Sequence, residues 1–440
     1  MKTAAVTAGA ALAGPAIARK RRPNFLFVLV DQERFPMHSD PVGRPHRERL
    51  KGSAVEFTEH HCVYPLCSPS RANLLTGLYP HQVGVHGNIY DDNRISSLDP
   101  LVPNMGNVFR QEGYATGWYG KWHLSKNVTD HGTLEYYGFS GGISNQKVAK
   151  ISDRLVAENA AGFVRHHAGG GPWLLACSLI NPHDICYPNY NPIYKDRGIT
   201  AETPPNLETD LSDKPFAIKN HDNQDAGRYR YVNGRWETNL AYYYDLIMHA
   251  DESLGIMLDA IEESGQWEDT VVIFTSDHGE MGGSHGLLNK GFIYEEAVRV
   301  PFWISAPGSV DGFERRPGLQ SHIDLLPTMA GLAGIKWPSQ LPGRDLFAKD
   351  GAPADTIFME GGYKDLTNNA PWRGVRHGDW KYAMYLNGDE QLFNIAEDPL
   401  EMNDLSDDRE AAGDKRRLKV MVNDWRRSTN DPLRGDFHWG

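Results

Sequence analysis

Residues 24–30 read NFLFVLV and are followed directly by Asp31 and Gln32. An uninterrupted apolar run of this length is typical of a parallel strand that is buried on both faces. Further strand-like and helix-like stretches alternate along the chain: strands at 114–119, 173–180, 271–275 and 301–306, and helices at 104–112, 151–165 and 237–263. This alternation predicts an α/β fold built on a doubly wound, mostly parallel sheet.

The size and composition of the chain allow a large core. It has 440 residues, of which 40% are hydrophobic and 23% are charged. After about residue 340 the pattern changes to short strands with turn signals, at 356–359, 372–376, 380–385 and 391–394, and then to a helix at about 409–427. We therefore predict a large α/β domain at residues 23–340 and a small α+β subdomain at residues 341–440.

The charge and the first residues of the chain bear on its partners and its location. A formal net charge of −12 argues against a nucleic-acid-binding protein, which needs basic faces to displace counterions. Residues 1–18 read MKTAAVTAGAALAGPAIA and end in the A-x-A form of a cleavage site. We expect residues 1–22 to be an export signal and leader, which predicts a periplasmic or secreted protein; an alanine-rich tail is the alternative. No other segment approaches the length of a membrane span.

Four polar clusters follow predicted strands of the large domain. They are Asp31 with Gln32, Lys121 with His123, residues 181–184 (NPHD), and Asp277 with His278. In open parallel sheets, ligands bind beyond the carboxyl ends of the strands. The clusters therefore predict a polar catalytic or metal site at one edge of the sheet.

Residues 67–77 read CSPSRANLLTG. Pro69 suits the first turn of a helix, so Cys67 is expected at a helix N-terminus, where backbone N–H groups favour anions. The run resembles the signature C-x-P-S-R followed by L-T-G of the formylglycine-dependent sulfatases, which belong to the alkaline phosphatase superfamily. The resemblance extends in the expected order from residue 24 to about residue 405 and implies an alkaline-phosphatase-like fold.

The resemblance implies a covalent mechanism at Cys67. In the family, a maturation enzyme oxidises this cysteine to formylglycine, whose hydrate carries two hydroxyls on one carbon. One hydroxyl attacks sulfur and displaces the alcohol, and the other then expels the sulfate. The expected activity is therefore hydrolysis of a sulfate ester to inorganic sulfate and an alcohol, and Arg71 is expected to hold the hydrate.

The resemblance also implies the remaining site residues. The expected metal site contains Asp31, Gln32, Cys67, Asp277 and His278, and the family most often binds Ca²⁺ there. Lys121 is expected to bind the sulfate or the hydrate, and His123 to accept the proton of the hydrate. His183 and Lys290 are expected to bind the sulfate and protonate the leaving oxygen, and Asn88 is a further candidate for substrate binding.

Two residues depart from the common pattern of the family, which often has aspartate at position 32 and asparagine at position 278. The combination of Gln32 and His278 resembles the branch that contains choline sulfatases and phosphonate monoester hydrolases. An imidazole in place of an oxygen ligand admits Mn²⁺ as the alternative to Ca²⁺. Losing an aspartate at position 32 is expected to raise the positive charge around the metal and favour phosphoryl substrates, whereas Ser70 in C-x-P-S-R favours sulfate.

The alcohol part of the substrate stays open at this stage. We expect a sulfated glycan or small molecule. Aromatic residues in the long excursion at 185–233 and just after it either stack on a sugar or aryl ring or pack the loop itself; they are Tyr187, Tyr190, Tyr194, Tyr229, Tyr231 and Trp236. A hydrolase of phosphate or phosphonate esters on the same fold is the alternative function. A third hypothesis is an inactive protein that only binds sulfated glycans, against which the intact modification signature speaks.

Overall fold

The structure is a computed structural model that describes residues 22–37, 40–90, 96–126, 132–144, 153–186, 197–210, 212, 214–219, 236–349, 354–362, 371–434 and 438–439. Its strands are β1 (Asn24–Asp31), β2 (Ser53–His61), β3 (Ala115–Lys121), β4 (Ser140–Ser144), β5 (Trp173–Pro182), β6 (Thr270–Ser276), β7 (Phe302–Ser305), β8 (Gly312–Ser321), β9 (Thr356–Gly361), β10 (Trp372–His377), β11 (Trp380–Tyr385), β12 (Glu390–Asn394), β13 (Leu433–Arg434) and β14 (His438–Trp439). Its α-helices are α1 (Pro45–Glu48), α2 (Cys67–Thr76), α3 (Met105–Gln111), α4 (Gly132–Tyr136), α5 (Asp153–His166), α6 (Phe216–Lys219), α7 (Trp236–Glu263), α8 (Glu295–Val298), α9 (Leu325–Ala333) and α10 (Ala412–Ser428).

Eight strands form the main sheet in the order β4-β3-β5-β1-β6-β7-β2-β8. The five strands β4, β3, β5, β1 and β6 run parallel to one another, and β2 is parallel to β8. The prediction of a doubly wound, mostly parallel sheet is confirmed.

The apolar run at the start of the chain packs on both sides of this sheet. Phe25, Phe27 and Leu29 belong to one core cluster, which includes residues of α2, α3 and α9. Leu26 and Val28 belong to a second cluster, which includes residues of α5 and α7. Because alternate side chains of a strand point to opposite faces, a strand covered by helices on both faces needs an apolar residue at every position.

The strand Phe302–Ser305 corrects one expectation. It was expected to resemble the parallel core strands, but β7 is antiparallel to both of its neighbours, β6 and β2. The connection from β6 returns to the sheet at the edge where β6 ends, so β7 must run back in the opposite direction. A strand that is buried on both faces has the same apolar pattern whether it runs parallel or antiparallel to its neighbours. The local sequence therefore does not reveal the direction of β7.

A second sheet lies in the C-terminal part of the chain. Strands β9 to β12 form an antiparallel sheet in the order β12-β11-β10-β9, and α10 packs on it through Leu418, Val422 and Trp425. The predicted short strands and helix are therefore present, and the structure shows that the strands are antiparallel. The position of the domain boundary at residue 340 stays a prediction.

Some expectations concern segments that lie outside the described residues. These segments are residues 1–21 of the predicted export signal and most of the excursion at 185–233, including its five tyrosines. Across the part of the chain that the structure describes, no helix is both long enough and apolar enough to span a membrane.

Candidate active site

The candidate site lies at the carboxyl edge of four neighbouring parallel strands. Lys121 is the last residue of β3 and Asp31 the last residue of β1, while His183 follows β5 and Asp277 follows β6. The order β3-β5-β1-β6 places these four ends side by side. The edge predicted from the polar clusters is the edge at which these residues meet.

Helix α2 brings Cys67 to the same edge as its first residue. The amide of Ser68, which has no partner within the helix, donates to Oδ1 of Asn88 at 3.0 Å, and the Ser68 hydroxyl donates to the carbonyl of His123 at 2.6 Å. Asn88 also donates to the hydroxyl of Tyr90 at 3.3 Å. In this structure the Asn88 side chain therefore supports the start of α2, and its predicted contact with substrate stays a prediction.

Four buried side chains form a group that could hold a metal ion. One possible ligand atom each from Asp31, Cys67, Asp277 and His278 lies within 4.8 Å of the others. Nδ1 of His278 donates to the carbonyl of Gly279 at 3.0 Å, which leaves Nε2 to face Sγ of Cys67 at 3.2 Å. Burial opposes a charge on His278, but Asp277 raises its pKa in the metal-free protein, so a bound cation would displace the Nε2 proton. Two carboxylates and an imidazole nitrogen are donors that fit a divalent cation.

The guanidinium of Arg71 lies between the two carboxylates of this group. Its Nε donates to Oδ2 of Asp277 and its Nη2 to Oδ2 of Asp31, both at 2.9 Å, while Nη1 donates to Oγ of Ser178 at 2.7 Å. All of these side chains are buried. Arg71 therefore fixes the relative position of the two aspartates, and its predicted hold on the hydrate stays a prediction.

Two lysines line the side of the site that Cys67 faces. Nζ of Lys121 lies 2.6 Å from Oδ2 of Asp31 and 3.8 Å from Sγ of Cys67. Nζ of Lys290 donates to Oε1 of Gln32. Burial and Asp31 oppose ionisation of Cys67, but Lys121, Lys290 and His278 together hold the pKa of its thiol well below its ordinary value. The position occupied by the thiol therefore favours a negative charge.

The two aspartates have opposite pKa shifts. Burial opposes ionisation of Asp31, but the neighbouring cations, first Lys121, hold its pKa well below its ordinary value. Burial, together with the charge of Asp31, raises the pKa of Asp277 to about 7. Asp31 is thus ionised at neutral pH, whereas Asp277 is only partly ionised, and a further positive charge nearby would favour its ionised form.

Both predicted catalytic histidines are buried beside Cys67. Burial, reinforced by Lys121 and Lys290, lowers the pKa of His183 to about 4. Burial also lowers the pKa of His123, whose backbone has a positive φ of 60°. Both rings are therefore neutral at neutral pH in the free protein.

The structure adds two residues to those predicted from the sequence. Ser178 in β5 accepts from Arg71, and Glu280 accepts from Nε2 of Gln32. A serine within an apolar strand gives no periodic signal. Glu280 follows Asp277 and His278 in the same run, and its full burial could not be inferred because most glutamates are exposed.

Two family models match the chain. One, described as sulfatase, matches residues 23–335, and another, described as N-sulphoglucosamine sulphohydrolase, C-terminal, matches residues 283–428.

Similar proteins include sulfatases of known name. The chain is 28% identical to an ulvan-active sulfatase of Formosa agariphila over 87% of this chain and 77% of that protein. It is 26% identical to a choline-sulfatase of Rhizobium meliloti over 91% of this chain and 85% of that protein. The crystal structure of a phosphonate monoester hydrolase of Agrobacterium radiobacter aligns with a TM-score of 0.75 and 23% identity, over 93% of this chain and 96% of that chain.

Proposed function

This chain belongs to the sulfatase family, and from that membership we propose that it hydrolyses sulfate esters with a formylglycine formed at Cys67. Sulfuric ester hydrolysis is the activity common to the family and to the named relatives. The nucleophile, the cation, the residue roles and the substrate are the proposed part.

One observation carries the proposal most directly. Cys67 begins α2 at the point where Lys121, His278 and Asp31 approach its Sγ to 3.8, 3.2 and 3.8 Å. Its thiol stands where the hydroxyls of an aldehyde hydrate would stand. A cysteine within a complete C-x-P-S-R signature, surrounded by cations and carboxylates, has the neighbours that such a nucleophile needs.

Two groups that the chain alone does not supply provide the reactive chemistry. A formylglycine hydrate offers one hydroxyl to attack sulfur and a second to expel the sulfate, and a divalent cation lowers the pKa of the attacking hydroxyl. Asp31, Asp277 and His278 would hold the cation, with Gln32 beside them. We propose Ca²⁺ as the cation, with Mn²⁺ as the alternative because of the imidazole of His278.

Proton transfer follows from the charge states of the buried side chains. His123 is neutral at neutral pH, so it is able to accept the proton of a hydroxyl at position 67. His183 is also neutral, so it donates a hydrogen bond through an N–H group, while Lys290 is held as an ammonium because its neighbours raise its pKa. We assign the binding of the sulfate to Lys121, His183 and Lys290, and protonation of the leaving oxygen to the pair of His183 and Lys290, in which the ammonium of Lys290 supplies the proton and the neutral His183 donates a hydrogen bond.

The proposed substrate is a sulfated carbohydrate, with an aryl sulfate as the alternative. Similarity over most of the chain to a sulfatase described as ulvan-active supports the carbohydrate. The proposal also requires a maturation enzyme that oxidises Cys67. The export signal expected in residues 1–22 supports a periplasmic or secreted location.

The test is a comparison of kcat/KM for nitrophenyl sulfate, nitrophenyl phosphate and a phenylphosphonate monoester on fully converted enzyme. We expect the sulfate ester to be the best substrate. A preference for the phosphonate above about tenfold, equivalent to about 1.4 kcal/mol of transition-state stabilisation, would replace the proposed reaction with the alternative one. Gln32 and His278 lie at the site, and this observation favours phosphonate or phosphate ester hydrolysis as the alternative function.

A further inference from the structure

The amide of Gln32 lies between two oppositely charged side chains. Its Nε2 donates to Oε2 of Glu280, and its Oε1 accepts from Nζ of Lys290. Gln32 and Glu280 are both fully buried. Because the site is buried, an amide oxygen or nitrogen that faces the wrong partner cannot form a hydrogen bond to water instead.

Glu280 is itself fixed by the backbone of the segment that carries Lys290. Its Oε1 accepts from the amides of Gly282 at 2.9 Å and Asn289 at 2.8 Å. The carboxylate therefore accepts from three N–H groups, two from the backbone and one from Gln32. A carboxylate only accepts and an ammonium only donates, so a single orientation of the Gln32 amide satisfies both Glu280 and Lys290.

From these contacts we propose that Glu280 is a positioning residue that sets the orientation of the Gln32 amide, so that Oε1 faces Lys290 and the cation side of the site. The inference rests on the proposed function, in which Gln32 and Lys290 belong to the reaction centre. It also explains why position 32 holds an amide. A carboxylate there would face Glu280 in a buried site, where two like charges repel.

The same contact changes the charge balance expected from the sequence. Gln32 in place of aspartate was expected to raise the positive charge around the cation. Glu280 supplies a carboxylate group directly behind Gln32, at hydrogen-bonding distance from its amide nitrogen. The site thus keeps a carboxylate group in contact with residue 32.

An isosteric exchange of the two residues tests the proposal. In Glu280→Gln, the new amide presents its own N–H₂ group to Gln32, which then turns its nitrogen toward Lys290. We expect kcat/KM for nitrophenyl sulfate and the affinity for Ca²⁺, titrated alone into metal-stripped enzyme, each to fall at least about tenfold. In the double variant Gln32→Glu with Glu280→Gln, the donor and acceptor are exchanged and the hydrogen bond is restored. We expect both quantities to return to within about threefold of wild type.

The exchange separates positioning from a structural role. If Glu280 only holds the backbone of Gly282 and Asn289, the loss comes from the glutamine at position 280, which both the single and the double variant carry. The added change at residue 32 then restores neither kcat/KM nor the affinity for Ca²⁺. A double variant as impaired as Glu280→Gln therefore overturns the proposal, and so does a single variant with wild-type values. If Glu280→Gln fails to fold, recovery of folded protein in the exchange variant is the measurement.

A matched control combines Glu280→Gln with Asn289→Asp. Asn289 lies in the same segment, and its positive φ of 68° is tolerated by aspartate. The control restores the net charge without restoring the hydrogen bond to Gln32, so the proposal predicts no recovery of kcat/KM or of the affinity for Ca²⁺. A recovery as large as that of the exchange variant would contradict the proposal. If fully converted wild-type enzyme hydrolyses neither the aryl sulfate nor a sulfated carbohydrate, the proposed function fails, while the Ca²⁺ titrations still decide whether Glu280 positions Gln32.

Discussion

Arg71 is placed between Asp31 and Asp277, and its side chain is fully buried. Bringing two carboxylates together in a buried site is unfavourable, and the fixed fork of the guanidinium offsets this cost by donating to both. Lys121 provides a second positive charge, but its contact is with Asp31 alone among the two aspartates. Asp277 is paired with Arg71 at 2.9 Å, and Nε2 of His278 lies 3.5 Å from its other carboxylate oxygen.

We predict that Arg71→Ala lowers the free energy of unfolding of metal-free protein by about 3–5 kcal/mol, because it leaves buried carboxylates without their partner. Urea denaturation in chelator measures this change. The control is Arg154→Ala, which removes an exposed ion pair with Glu158 and is expected to change stability by less than about 1 kcal/mol. Equal effects of the two substitutions would contradict the assigned role of Arg71.

The sequence predicted which residues meet at the site but not how they contact one another. Cys67, Lys121 and Asp277 could be found because they stand in motifs or directly after apolar strands. The bonds of Arg71 to Asp277 and of Gln32 to Glu280 join residues 206 and 248 positions apart, and the bond of Arg71 to Asp31 joins residues 40 positions apart. Such contacts depend on the final packing of the sheet edge, which local patterns do not contain.

At the level of elements, strand β3 can pair closely with β5 only because Gly120 has no side chain. Gly120 has a φ of +98°, and a Cβ there would lie 2.0 Å from the carbonyl oxygen of Ser178 in β5. The next residue is Lys121, and Ser178 is a partner of Arg71. The close approach of these two strands thus positions two residues of the candidate site.

We predict that Gly120→Ala lowers the free energy of unfolding by at least about 2 kcal/mol, since it adds both a backbone clash and a strained φ. Thermal or urea unfolding checks this result, and kcat is expected to fall as Lys121 moves. Gly142→Ala in β4 is the matched control, because its Cβ would meet only Tyr119, at 3.9 Å. A similar loss of stability in both variants would show that the close approach of β3 and β5 at Gly120 is not the cause of that loss.

The elements predicted from sequence are those whose burial pattern is strong. The core strands β1, β5 and β6 were found because helices cover both of their faces. The first four residues of the edge strand β8 are exposed and most of the strand is polar or glycine, and β4 reads SGGIS, so neither has an apolar pattern to recognise. The direction of β7 depends on where the preceding connection runs, which is a property of the topology.

At the scale of the whole molecule, buried histidines couple stability to pH. Burial lowers the pKa of His285 to about 4 and that of His322 to about 3. An unfolded histidine has a pKa of about 6.5, so below that pH the unfolded chain binds protons that the folded chain does not. As the pH falls from about 6.5 toward 4, each of these two histidines therefore lowers the free energy of unfolding further.

We predict that His285→Phe, which keeps a ring against Tyr294, flattens this dependence. Relative to wild type, the unfolding free energy of the variant should rise by up to about 1.4 kcal/mol for each pH unit below about 6.5. Urea unfolding of both proteins in chelator at pH 7.5, 6 and 5 measures the difference in slope. Parallel curves for the two proteins would mean that His285 is not protonated on unfolding.

The central claim is that Cys67 becomes the aldehyde nucleophile of a sulfate ester hydrolase. The measurement that tests it most directly is the mass of the peptide carrying residue 67, taken from enzyme that hydrolyses an aryl sulfate. We predict a peptide about 18 Da lighter than the cysteine form, the difference between a thiol-bearing carbon and an aldehyde. Finding only unmodified Cys67 in fully active enzyme would contradict the account.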